Sequence, residues 1–334
     1  MAPTQLPEWV VLGDEAWRVA RAWPDRGPRL SVELRLHGRI RGGSWDAGRL
    51  TALVPGTDPA LPALAEALTR TAGTVVSHRP GKRAVVRGAD GAFTKVVRRK
   101  RAAKILQGMD HATTFASAFR TPEVLAHGSS TVTFSAVAGA SLHDATSWSD
   151  ELWHRAWDET LTAWMAAVSR TAPPAPVHDV AAEVRVLDDW TSKAVFPEGD
   201  AQLRLADARD GAVAALSSLP DTESWRPIHR DLHDKQLLWH PNLGPGIIDL
   251  DTACLGDPAL DLGNLRAHAR LRRLQRLWTD AQSTTVRDAV DRAASQLGCP
   301  TASIDAYEQS ALVRLACVYS FRPRWRRLAP ALLG

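Results

Sequence analysis

The hydrophobic pattern of this 334-residue chain changes period once, and that change restricts the fold more than any other feature. Ahead of residue 138 the apolar residues sit in short, β-branched, alternating runs. From Ser149 onward they recur three and four apart, the helical spacing. A chain patterned this way places a small antiparallel sheet before a larger helical body, an α+β arrangement in two parts.

The first part predicts strands over Thr74–Ser77, Arg83–Arg87 and Ala92–Val97. They are joined by the turns His78-Arg79-Pro80-Gly81-Lys82 and Gly88-Ala89-Asp90-Gly91, in which Asp90-Gly91 is a strong hairpin signal. A helix is predicted over Arg99–Phe119, ended by Thr121-Pro122, and one more strand over Thr131–Val137. Residues 1–72 read as an N-terminal extension packed on this sheet, with strands over Ser31–Leu36 and Leu50–Val54 and a short helix over Leu61–Leu68. In the second part Ser149, Asp150 and Glu151 start a helix. On it Trp153, Trp157, Leu161, Trp164 and Val168 share one face, a core-facing stripe. Helices recur from Asp179 to Leu219 and from Leu262 onward, around a strand-and-loop stretch from Trp225 to Asp257. The predicted units are 1–72, 73–138 and 139–334.

Composition narrows the function classes. The net charge is only +4, and the densest basic cluster, Arg98-Arg99-Lys100-Arg101, lacks the broad stripe with interleaved aromatics of a nucleic-acid surface. Cys254, Cys299 and Cys317 are odd in number and far apart, which argues against a disulfide framework or a zinc site. No stretch is long and apolar enough to span a membrane, and Met1–Val10 lacks a basic segment leading into an apolar core. The expectation is a cytoplasmic protein with no nucleic-acid or membrane partner; the sequence leaves the oligomeric state open.

Chemistry concentrates in His229-Arg230-Asp231-Leu232-His233-Asp234-Lys235-Gln236, followed by Ile248-Asp249-Leu250-Asp251. Transfer of a phosphoryl group to a hydroxyl needs a carboxylate to orient the hydroxyl and accept its proton, and oxygen donors to hold Mg²⁺. Asp231 offers the first; Gln236 and Asp249 offer the second. The apolar runs Leu237–His240 and Gly246–Leu250, around Pro241–Pro245, predict a hairpin that returns Asp249 beside Gln236.

These motifs, with Gly256-Asp257-Pro258-Ala259-Leu260-Asp261-Leu262, resemble the aminoglycoside phosphotransferase family of protein-kinase-like small-molecule kinases, over roughly residues 74 to 334. The resemblance implies a two-lobed kinase-like fold and use of ATP and Mg²⁺ on a small-molecule hydroxyl acceptor. It implies Asp231 as catalytic base, Asp249 as main metal ligand, and His229 as a support of the loop. Gln236 stands where the family has Asn. Asp251 reads equally as a metal ligand or a hydrogen-bonded turn residue, and Asp257 and Asp261 as braces of loops and of a helix start. Lys95 matches the lysine that grips the nucleotide phosphates. Its usual glutamate partner on the following helix is missing; Asp110 is the one acid between Lys95 and Pro122 and takes that place by elimination. No GxGxxG occurs, so Gly81 and Lys82 in the hairpin turn are the phosphate-covering candidates. Ser135 to Val137 resemble the hinge that binds adenine.

Three functions follow from this reading. The first is a kinase of a sugar, natural product or antibiotic. The second is an aminoglycoside-resistance kinase; the third is a nucleotide-binding pseudokinase with a regulatory role. Only six residues separate Asp251 from Pro258, too few for the activation loop of a protein kinase. Asp261 to Gly334 holds twelve Arg against six acids, a bias toward a neutral or anionic acceptor over a polycationic drug. Asp231, Asp249 and Lys95 are all present, which favours catalysis.

Overall fold

The computed structural model describes residues 6–25, 27–194, 196, 200–220 and 225–334. The chain opens with an antiparallel five-stranded sheet in sequential order: β1 (Trp9–Leu12), β2 (Glu15–Pro24), β3 (Leu30–Leu36), β4 (Arg39–Asp46) and β5 (Arg49–Ala52). Only parts of β3 and β5 are legible as alternation. In β2 the register shifts between Val19 and Arg21. That bulge puts Val19 and Ala22, rather than residues two apart, into the core with Trp17 and Trp23. In β4, Gly42 and Gly43 interrupt the apolar pattern because other strands lie close against them: a Cβ on Gly42 would sit 2.7 Å from the His78 ring of the next sheet, and one on Gly43 2.9 Å from Thr51 O of β5.

Helix α1 (Ala63–Thr71) leads into a second antiparallel sheet. Its strands are β6 (Thr74–Arg79), β7 (Arg83–Arg87), β8 (Phe93–Val97), β9 (Val124–His127) and β10 (Thr131–Phe134), in the order β6-β7-β8-β10-β9. The predicted helix over Arg99–Phe119 divides into α2 (Ala102–His111) and α3 (Thr113–Ala116), and the strand predicted to reach Val137 ends at Phe134. β9, which the sequence reading missed, pairs only along the edge and exposes all four residues. One face of the sheet buries Ala84, Val86 and Val96 under Leu61 and Leu64 of the α1 segment.

The helical body holds α4 (Asp150–Val168), α5 (Val180–Thr191), α6 (Ala201–Ser217), α7 (Pro258–Leu274), α8 (Asp280–Leu297) and α9 (Thr301–Ser320). Two small sheets sit at its junction with the upper part. β11 (Ala140–Ser141), β14 (Leu237–His240) and β15 (Gly244–Ile247) form one; β12 (Val177–His178), β13 (Arg226–Ile228) and β16 (Cys254–Gly256) form the other. The tryptophan stripe of α4 is core, as its periodicity predicts: Trp153, Trp157 and Trp164 are fully buried, and the first two meet Trp278 edge to face.

The N-terminal sheet touches both parts. On the upper side Glu33 of β3 accepts from the His78 amide at 2.8 Å and Arg21 of β2 donates to Ser77 Oγ at 2.7 Å, while Asp58, in the segment after β5, accepts from the Gly81 amide at 2.7 Å and meets His78 Nε2 at 2.9 Å. On the lower side the Ala22 amide donates to Phe321 O at 3.1 Å, and Arg326 donates to Leu6 O at 2.8 Å. Among the described residues, no helix is long and apolar enough to cross a membrane.

Candidate active site

Strands β14 and β15 pair Leu237 with Ile247 and His240 with Gly244, and the Ile248 amide donates to Gln236 O at 3.0 Å. The predicted hairpin therefore forms and brings Asp249 back to the loop that carries Asp231. Two residues hold left-handed backbone here, Arg230 (φ 72°) and Asp249 (φ 65°). Such conformations cost about 1–3 kcal/mol each and persist only where the surroundings impose them. Fully buried Asp261, near the start of α7, imposes the first: its carboxylate accepts from the amides of His229 and Arg230, both at 2.8 Å, and from Trp164 Nε1 at 3.2 Å. Burial raises its pKa. His229 is wholly buried and ties the two loops together through Ile248 O at 3.1 Å, while Thr252 donates to its carbonyl at 3.0 Å. Asp257 caps α7 through the Ala259 amide at 2.9 Å. His229, Asp257 and Asp261 are thus braces, as expected.

A cleft of about 580 Å³ lies between the second sheet and this loop pair. Lys95, Phe134, Ser135, Val137, Asp249 and Asp251 all line it. Lys95 Nζ lies 2.5 Å from Asp249 Oδ1 and 2.7 Å from Asp251 Oδ1. Burial alone would lower the lysine's pKa, but the two carboxylates outweigh it and raise it; the same lysine, against the burial of Asp249, pulls the Asp249 pKa down. Asp110 is exposed on α2 and does not meet Lys95. Elimination along one helix selected the wrong element: the acid partners come from the loop after β15, 154 and 156 residues further on.

Gly81 and Lys82 are likewise displaced from their expected role. The turn forms, with Gly81 at φ 69°, but neither residue lines the cleft, and the Gly81 amide is engaged by Asp58. Ser135 lines the cleft, yet its amide donates to Glu123 O and its hydroxyl accepts from the Glu123 amide, both at 2.9 Å. Ala136 and Val137 are the hinge residues left to face a base.

Asp231 presents a carboxylate that is 45% exposed, with Gln236 Nε2 at 3.4 Å from Oδ2 and Arg314 of α9 at 3.7 Å from Oδ1. Burial would raise its pKa; the charges of His233 and Arg314 outweigh that and lower it. Gln236 is buried, and its Oε1 has no hydrogen-bond partner among the described residues. An orphaned buried amide oxygen beside Asp249 is the donor set a hard cation needs, so the residues fit Mg²⁺.

Two features of the site had no signal in the catalytic motif. One is Gly108 on α2: a Cβ there would lie 2.5 Å from Asp251 O, so only glycine lets the helix pack against the loop. The other is a buried network under the catalytic loop. Arg272 grips both oxygens of Asp234, at 2.8 and 2.9 Å, and donates to Tyr319 Oη at 3.1 Å; His143 Nδ1 also meets Asp234 at 2.5 Å. His233 and His268 stack beside it, and burial pushes their pKa values down to about 4 and about 3. His233, Asp234 and His268 could by distance share a metal. With Asp234 fully engaged by a guanidinium, they form a brace.

Fold and cleft together define a two-lobed, protein-kinase-like phosphotransferase. The phosphotransferase enzyme family model matches residues 15–307, and this chain belongs to that family; it is a small-molecule kinase. The match begins inside the N-terminal sheet, well ahead of the motifs that carry the resemblance. Among solved structures, aminoglycoside phosphotransferase APH(3'')-Id from Streptomyces rimosus aligns with a TM-score of 0.53 at 22% identity, covering 75% of this chain and 96% of its own. The GDP complex of aminoglycoside 2'-phosphotransferase-IIIa aligns at 0.56 and 17% identity, covering 83% and 97%. APH(4)-Ia aligns at 0.53 and 16%, covering 80% and 96%. At these identities the likeness is one of fold. No curated protein matches the chain.

Proposed function

We propose that this protein transfers the γ-phosphoryl group of ATP to a hydroxyl of a small molecule, a sugar, natural product or antibiotic, with Mg²⁺ as cofactor. The observation that carries the reading is the pairing of an open carboxylate, Asp231, with an orphaned amide oxygen on Gln236 five residues later, opposite Lys95 and Asp249. Asp231 accepts the proton of the attacking hydroxyl, and its lowered pKa keeps it ionised at neutral pH. Gln236 Oε1 and Asp249 hold Mg²⁺, which neutralises charge on the phosphates when bound. Asp251, already on Lys95, orients that lysine in place of the absent helix glutamate. Ala136 and Val137 receive the adenine through backbone groups.

The aligned structures include APH(3'')-Id with ADP and streptomycin. A polycationic acceptor calls for carboxylates around Asp231, whereas Arg314 stands there instead. A neutral or anionic acceptor fits better. The test is an acceptor screen with ATP and Mg²⁺ over sugars, sugar phosphates, aminoglycosides, amino alcohols and nucleosides, read by mass spectrometry as added phosphate. Nucleotide binding without product from any class would favour the regulatory pseudokinase.

A further inference from the structure

Asp231 offers two oxygens, and their surroundings differ. Oδ2 lies 3.4 Å from Gln236 Nε2, on the side of the proposed metal ligands. Oδ1 faces Arg314 of α9, whose Nη1 is 3.7 Å away. That gap is short enough for attraction and too long for a hydrogen bond. A guanidinium and a carboxylate left to themselves close to about 2.7–2.9 Å, often through two parallel bonds. Arg314 stops short of that distance, and Asn264 of α7 holds it back.

Asn264 is buried, with a hydrogen bond at each end of its amide. Its Oδ1 accepts from Arg314 Nη2 at 2.8 Å, and its Nδ2 donates at 2.7 Å to Leu232 O, on the residue next to Asp231. One amide therefore ties Arg314 to the loop that carries the base. The helices behind the tie have no room to shift. A Cβ on Gly263 would lie 2.6 Å from Glu308 N, so the backbones of α7 and α9 touch beside Asn264. Asp261, three residues earlier on α7, grips the amides of His229 and Arg230, so one helix fixes the loop on both sides of the base. Among the described residues the bond to Asn264 is the one hydrogen bond of the Arg314 side chain. Buried Glu183 attracts Arg314 as well, but its oxygens are engaged by His178 Nε2 at 2.9 Å and Ser310 Oγ at 2.8 Å.

We propose that Asn264 is a positioning residue that works as a spacer: it holds Arg314 near enough to attract Asp231 and too far to bond it, which keeps Oδ1 open for the proton of the acceptor hydroxyl. The reaction needs that opening. As the hydroxyl oxygen bonds to the γ-phosphorus and the bond to the departing ADP breaks, the hydroxyl proton passes to a carboxylate oxygen. An oxygen already bonded by a guanidinium has a lone pair occupied and accepts a proton less readily. Without the spacer the nearest cation would occupy the position that the substrate must take.

The proposal rests on the kinase reading for the role of Asp231, and two measurements keep them apart. Asn264→Leu and Asn264→Asp both lose the bond to Leu232 O, but only the aspartate keeps an oxygen for Arg314. Crystal structures of the two full-length variants read the geometry without any activity. Arg314 should move to hydrogen-bond distance of Asp231 in Asn264→Leu and stay outside it in Asn264→Asp. Mg²⁺-dependent ATP hydrolysis, with water in the place of the acceptor hydroxyl, reads the consequence. Asn264→Leu should lower kcat by roughly tenfold or more, a share of the roughly 10² to 10⁴ that a positioned base supplies, with KM for ATP unchanged. Asn264→Asp should lose far less. Adding Arg314→Met to Asn264→Leu should restore most of the lost rate, because the cation that covers Oδ1 is gone; a merely structural defect would persist. An Arg314 that keeps its distance in Asn264→Leu, an equal loss in Asn264→Asp, or a double variant no faster than Asn264→Leu would each overturn the spacer. Should Asn264→Leu fail to fold, Asn264→Asp decides alone: Arg314 closed onto Asp231 in that variant overturns the proposal, and Arg314 still held off supports it. Hydrolysis that Asp231→Asn leaves undiminished would instead overturn Asp231 as the base, a failure of the kinase reading that the variant structures do not share.

Discussion

Lys95 Nζ lies 2.5 Å from Asp249 Oδ1, so one cation occupies a carboxylate that the catalytic chemistry assigns to another. On the proposed reading, Asp249 would hold either the lysine or Mg²⁺ in the absence of nucleotide, and nucleotide phosphates would draw the lysine away. Lys95→Met should therefore bind Mg²⁺ more tightly than the wild type when no nucleotide is present, by about tenfold, while losing most of its ATP affinity. Calorimetry of Mg²⁺ with and without ATP reads both effects. Weaker Mg²⁺ binding in the variant would mean that the pair does not compete.

Asp231→Asn should leave folding and nucleotide binding intact, because the carboxylate is half open and packs against little. Turnover should fall by a factor of roughly 10² to 10⁴, the usual weight of a positioned base. Steady-state kinetics on the true acceptor, beside a nucleotide titration, decides it. Near-normal turnover would remove Asp231 from the base role.

Gln236 gives a prediction in two directions. Gln236→Leu keeps the volume but deletes the orphaned Oε1, and should raise the Mg²⁺ needed for half-maximal activity at least about tenfold, a loss usual even for groups that only support a ligand. Gln236→Asn retains the amide oxygen and should stay active. Magnesium titration of both variants separates oxygen chemistry from packing.

Arg314 stands 3.7 Å from Asp231 and is one of the charges that lower its pKa. Removing it in Arg314→Met lets that pKa rise. Since the ionised form is the base, the acidic limb of the kcat profile should move to higher pH, leaving the basic limb in place. An unmoved acidic limb would show that Arg314 does not act on Asp231.

Gly108→Ala should cost about 1–3 kcal/mol, the range for overpacking a fitted contact, because the new Cβ meets Asp251 O at 2.5 Å. It should also reduce ATP affinity, since the displaced carbonyl belongs to the residue that holds Lys95. Denaturant unfolding and nucleotide titration test the two parts. Stability at the wild-type level would mean that the helix yields freely.

The catalytic loop and its hairpin were legible because their chemistry is local: Asp231, Gln236 and Asp249 lie within nineteen positions of chain, and a turn joins them. The α4 tryptophan stripe was legible for the same reason. What proved illegible depends on distance along the chain. Lys95 finds its acids more than 150 residues away, so a search of the next helix could only return Asp110. The N-terminal sheet hid behind a bulge in β2 and the glycines of β4, where tertiary contact overrides alternation. The Gly81 turn was read correctly as a turn and wrongly as a phosphate cover, because Asp58, from a different unit, engages its amide.

The N-terminal sheet grips the upper part through Glu33 and Arg21 and the lower part through Phe321 and Arg326. Two lobes joined by a single hinge strand swing like a book; here a second tie crosses the spine. Any rotation about Ser135–Gly139 must carry the sheet with one lobe and shear its bonds to the other. Opening of the cleft, and with it the escape of spent nucleotide, is thereby mechanically linked to a region that contains no catalytic group.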